Sequence, residues 1–153
     1  MRVLSISIAL SILACVSNSR DTESAHTLPR FEDFQVPQTS VPPAPKLDTA
    51  HNPDAKMFRT VLQSALQSGP NFAGHYTIAT WGCGTQCVSY AVIDAVTGRL
   101  SADSVLDFSC HVVDFRKTSS LVIERPMKES GAPCGDTSTK AFTWNGTGFQ
   151  PIK

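Results

Sequence analysis

Turn signals punctuate the second half of this chain, and they limit its fold more than any other feature. From Asn71 onward, runs rich in Val, Ile, Thr, Tyr, Phe and Trp recur at roughly ten-residue spacing, bounded by Gly, Pro, Asn or Asp. Ala73 to Trp81 and Cys87 to Asp94 read as two strands, with Ala95-Val96-Thr97-Gly98 as the turn ahead of Arg99. His111 to Phe115 and Ser119 to Arg125 read as a pair around Arg116-Lys117-Thr118. Lys140 to Trp144 and Thr147 to Ile152 meet at Asn145-Gly146, a strong hairpin signal. Six or seven short strands with short connections predict a mainly-β fold with minor α+β character: an antiparallel meander closed as a sandwich or small barrel.

One helix stands in front of the strands. Asn52 suits its cap, Pro53 its first turn, and Asp54 the positive end of its dipole. Met57, Phe58, Val61, Leu62, Ala65 and Leu66 repeat at helical spacing and give one apolar face, so the helix docks and this stripe is expected to be core. Gly69-Pro70 stops it.

The first residues are of another kind. Met1-Arg2 is a short positive region, and Val3 to Val16 is uncharged and apolar apart from Ser5, Ser7 and Ser11. That length fits an export signal and falls short of the roughly 20 residues that cross a bilayer. Residues 1–19 are therefore expected to be a signal peptide. Ile12-Leu13-Ala14-Cys15 resembles a bacterial lipobox, which would make Cys15 a lipidated residue; cleavage after Ser17 or Ser19 is the alternative, and it would release the protein. Residues 20–52 read as a tether, because six of the ten prolines lie between Pro29 and Pro53 and such a segment favours extended geometry over core formation. Phe31-Glu32-Asp33-Phe34-Gln35-Val36 interrupts it, and is expected to lie against the domain as an extended strap. Residues 53–153 then form a single domain.

Export decides the chemistry of the cysteines. Beyond Cys15 the chain holds Cys83, Cys87, Cys110 and Cys134, an even set that an oxidising compartment turns into two disulfides. In an up-and-down meander the start of one strand lies beside the end of the next, which favours Cys110–Cys134 and leaves Cys83–Cys87 to close a short loop; the other connectivities stay open. Thirteen basic residues balance thirteen acidic ones with no basic stripe, so nucleic acid and anionic membrane surfaces are poor partners. Membrane contact is expected only through a lipid on Cys15.

The densest stretch runs from Asn71-Phe72-Ala73-Gly74-His75-Tyr76 through Trp81-Gly82-Cys83-Gly84-Thr85-Gln86-Cys87 to Val92-Ile93-Asp94 and Thr97-Gly98-Arg99. This pattern, over about Met57 to Leu100, resembles a group of small exported bacterial proteins and lipoproteins. The resemblance implies an envelope, periplasmic or secreted location and lends no catalytic residue.

Read directly, Gly82 and Gly84 permit a tight backbone around Cys83. One reading is a binding loop rimmed by Trp81, His75 and Tyr76, since aromatics with a polar tip anchor interfaces well. The plainer one is a disulfide-clamped hairpin loop with Trp81 covering the core edge and His75 hydrogen-bonded within its strand. A zinc site from Cys83, Cys87 and Cys110 with His111 or His75 suffers from the adjacency of Cys110 and His111. A cysteine nucleophile needs a free thiol. No metal or other cofactor is therefore expected, no catalytic residue is assigned, and the chain leans away from being an enzyme. The leading expectation is an exported binding module for an envelope or extracellular protein, with inhibition of a hydrolase as one form. A small hydrolase or metal-dependent enzyme centred on His75, Cys83 and His111 is the second, and a structural envelope lipoprotein the third.

Overall fold

A computed structural model of the chain describes residues 27–43, 45–101, 105–127 and 135–153. The expected signal peptide, Cys15 and Cys134 lie outside the described residues. The fold is mainly β, as the spacing of the turn signals implies. Strands β1 (Tyr76–Gly84), β2 (Cys87–Asp94) and β3 (Leu106–Ser109) form one antiparallel sheet in that order. Strands β4 (His111–Phe115), β5 (Leu121–Pro126), β6 (Lys140–Trp144) and β7 (Phe149–Pro151) form a second antiparallel meander. The two sheets pack as a sandwich and do not close into a barrel among the described residues.

The helix breaks once, giving α1 (Pro53–Met57) and α2 (Arg59–Gln67) around Phe58. Its start is as the sequence suggests: the Asn52 side chain accepts from the amides of Asp54 at 2.8 Å and Ala55 at 3.3 Å. Paired Ala79 and Ala91 give the first sheet a face shallow enough for α2 to approach. Leu62 and Leu66 fill that space with Ile93, Ala95 and Ala55. Met57 departs from the expected stripe. It is 73% exposed, because the break at Phe58 leaves it on the outer side of the helix pair.

The opposite face of the first sheet meets the second sheet. Phe72 is fully buried there, with Phe115, Trp144 and Phe149 each 6.2 Å away by ring centroid. Tyr90 and Val122 share that core. The chain passes between sheets through a single residue, Cys110, at φ 65°. Tyr90 locks this corner: its hydroxyl accepts the amide of Val113 at 3.1 Å, and burial pushes its own pKa up.

The proline-rich segment differs from a free tether. Phe31–Phe34 forms a 3-10 turn in place of an extended strap, and Gln35 bridges to Ser119. The Phe34 carbonyl accepts the Ser120 amide at 2.9 Å, and Arg116 lies 4.3 Å over the Phe31 ring. Further on, Leu47 is buried in the helix-side core, its amide held by Gln63 at 3.0 Å. Prolines remove donors, but their neighbours still supply side chains and carbonyls, and the segment docks through these.

Candidate functional site

The end of the first hairpin is both exposed and cross-linked. Gly84 pairs with Cys87 around Thr85-Gln86, and Cys83 is the extra residue of a bulge between Gly82 and Gly84. Cys83 and Cys87 are joined by a disulfide across this bulge. Gly82, Cys83, Gly84 and Thr85 are exposed. The tip is anchored a second time, where the Cys110 amide donates to the Gln86 carbonyl at 2.7 Å. Cys110 is itself disulfide-bonded. Sulfurs held in this way are neither thiolate ligands nor nucleophiles in this state.

The five residues expected to line a binding loop do not come together. Trp81, Gly82 and Gly84 belong to the tip end of β1. Trp81 is half-buried, faces the helix-side core, and packs on Phe58 with ring centroids 5.1 Å apart. His75 and Tyr76 sit at the other end, about 20 Å away at the ordinary rise of six strand residues. There the His75 ring lies on Tyr76 at 4.2 Å, with its Nε2 3.7 Å from an Asp94 carboxylate oxygen. The Tyr76 hydroxyl donates to the Gly146 carbonyl at 3.3 Å, and its ring meets Trp144 edge-on at 5.3 Å. These contacts join the two sheets. His75 and Tyr76 therefore do not rim the tip, because β1 runs straight between them and the bulge.

His111 follows Cys110, beside the tip and away from His75. It is buried at the corner between the sheets, its Nδ1 3.2 Å from the Ser109 carbonyl and 3.7 Å from the buried carboxylate of Glu124. Its Nε2 has no hydrogen-bond partner among the described residues. His75 thus stands at the far end of β1 from Cys83, whereas His111 follows the corner residue Cys110 close to the tip, where Ser109 pairs with Cys87.

Along the outer edge of β1 the sequence left something unread. Ile78 is met there by Asn71: the Asn71 amide oxygen accepts the Ile78 amide at 2.7 Å, and its nitrogen donates to the Ile78 carbonyl at 3.0 Å. Tyr76 is paired on the same side with Phe72. Beyond Ile78 the edge borders a groove of about 620 Å³ between β1 and the helix pair, with Met57, Phe58, Val61, Ala65 and Thr80 in its walls. An asparagine two residues after a helix-stopping glycine was the available sign of such a cap, since its amide can imitate a strand residue. Among the described residues no helix is long and apolar enough to cross a membrane. No family model matches the chain, and neither a curated protein nor a solved structure does.

Proposed function

We propose that this chain is an exported binding module that grips a protein partner with the clamped tip of its first hairpin. In this reading residues 1–19 direct export, and the mature chain is either lipid-anchored at Cys15 or released into the periplasm or medium. The partner is an envelope or extracellular protein, and inhibition of a hydrolase is one form the interaction takes.

The observation that carries the proposal is the pairing of exposure with restraint at Gly82–Cys87. Exposed loops are usually loose and lose entropy on binding; a loop already fixed by a cross-link loses less. Here the Cys83–Cys87 bridge and the Cys110-to-Gln86 hydrogen bond fix a tip whose outer residues touch solvent. Its small residues leave backbone groups open to a partner. Support for export comes from the apolar leader and from the cystines, which an oxidising compartment preserves.

The test is capture by the intact, oxidised mature chain from an envelope extract, compared with Thr85→Arg. Thr85 is exposed, so the substitution adds bulk and charge at the tip without touching the core. A protein retained by the wild type and lost from the variant, with thermal unfolding unchanged, is the expected result. Equal retention by both would overturn the assignment of the tip.

A further inference from the structure

The edge of β1 leading into the tip has its own hydrogen-bonding logic. In an antiparallel strand, alternate residues turn their N–H and C=O toward the neighbour and away from it. The His75 carbonyl accepts the Ala95 amide, so the odd-numbered residues of β1 face β2. Tyr76 and Ile78 face outward, and both are already satisfied, by Phe72 and by the Asn71 side chain. The same parity turns Thr80 and Gly82 outward, and neither meets an outward partner among the described residues. Each presents one N–H and one C=O to solvent. The bulge at Cys83 then ends the regular register.

Natural strand edges are usually guarded by charge or proline. Tyr76–Gly84 contains neither. Beside the open stretch runs the groove bounded by Met57, Phe58, Val61, Ser64, Ala65 and Thr80, with no charged residue in its lining and Met57 largely exposed at its rim. A Cβ added at Gly82 meets nothing within 4 Å, so the sheet face beside this edge is open as well.

We infer that Thr80–Gly82 receives an extended, uncharged peptide segment of the partner protein as an added strand, with an apolar side chain seated in the groove against Val61 and Ala65. Asn71 shows that this edge accepts a paired donor and acceptor, and it fixes where the added strand must end. The bulge fixes the other end, so the ladder is short: Thr80 and Gly82 are about 7 Å apart. Affinity then comes from main-chain pairing and selectivity from the groove, as in other strand-addition complexes. This rests on the binding-module reading of the same hairpin and names the chemistry of what it holds.

The experiment uses the oxidised mature chain and a phage-displayed library of random heptapeptides. Wild type is expected to enrich uncharged sequences with alternate apolar positions. Synthetic copies should bind Thr80→Ala within about twofold of wild type and lose at least about tenfold on Thr80→Pro, which removes the outward N–H. Proline is tolerated in an edge strand where that N–H faces solvent, so the variant should fold. Should it not fold, the same peptide N-methylated at alternate residues must fail to bind wild type. No enrichment, or binding insensitive to both Thr80→Pro and N-methylation, overturns the inference. A concentration-dependent dimer abolished by Thr80→Pro, with no peptide enriched, overturns it in favour of self-pairing. An envelope protein captured by wild type and by Thr80→Pro but lost from Thr85→Arg would overturn the edge and leave the tip reading standing, so the two failures are separable.

Discussion

Replacing Gly98 by alanine tests whether the proline-rich segment is part of the domain. Gly98 sits at φ 73°, and a Cβ there would overlap the Lys46 carbonyl oxygen and stand 3.3 Å from the Asp48 nitrogen. A left-handed alanine alone costs about 1–2 kcal/mol. The obstructing atoms are backbone, so the Lys46–Asp48 stretch must also withdraw. That breaks the 2.8 Å bond from the Asp48 amide to the Gly98 carbonyl, roughly 0.5–1.5 kcal/mol. It also loosens Leu47 from the helix-side core, for about 1–2 kcal/mol of its burial. Gly69→Ala is the control: φ is 90° and nothing lies within 4 Å of the added carbon, so only the backbone term applies. The two variants should therefore differ by about 2 kcal/mol in urea unfolding followed by tryptophan fluorescence, or roughly 10 °C in Tm. Equal losses would refute the docking of residues 46–48, and the segment would then be the tether that its prolines suggest.

Other consequences are as definite. Tyr90→Phe leaves the Val113 amide without its acceptor and should cost about 1–2 kcal/mol in the same unfolding assay, well above a surface substitution. Asn71→Ala removes two bonds to Ile78 and should raise amide exchange at Ile78 while destabilising the fold by about 1–3 kcal/mol. The Asp48 carboxyl is held below the ordinary carboxylate range, first by the Ala50 amide and then by His51. Its contribution to holding the segment is therefore fully present above about pH 4 and lost as pH falls through its lowered folded value. The protection factor of the Asp48 amide, taken against the intrinsic exchange rate at each pH, should fall only on acidification below that range; a fall between pH 5 and 7 would contradict it.

Much of the fold was legible because its signals are local. Cys87–Asp94, His111–Phe115 and Lys140–Trp144 have the bounds that their residue types suggest, and Asn52 caps the helix as expected. Leu106–Ser109 was not visible, since four mixed residues give no alternation to count and the corner at Cys110 uses a left-handed cysteine where a glycine would have advertised the bend. Asn145-Gly146 marks the last hairpin but not its geometry: Trp144 pairs with Phe149 across a longer loop, in which the Asn145 side chain accepts from Thr147 and Gly148. At the site, the cystine at Cys83 and Cys87 is the pairing left once the strand layout sets Cys110 beside Cys134. The separation of His75 and Tyr76 from the tip followed only from the straightness of β1. The open edge depends on which way Thr80 turns its backbone, and the side-chain pattern alone does not disclose that.

Amide hydrogen exchange along β1 of the free, oxidised chain reads directly whether its outer edge is open. Thr77 and Ala79, bonded to β2, and Ile78, bonded to Asn71, should be protected, whereas Thr80 and Gly82 should exchange orders of magnitude faster. Protection at Thr80 matching that at Ala79 would mean that the edge is already covered, and the binding surface drawn here would not exist.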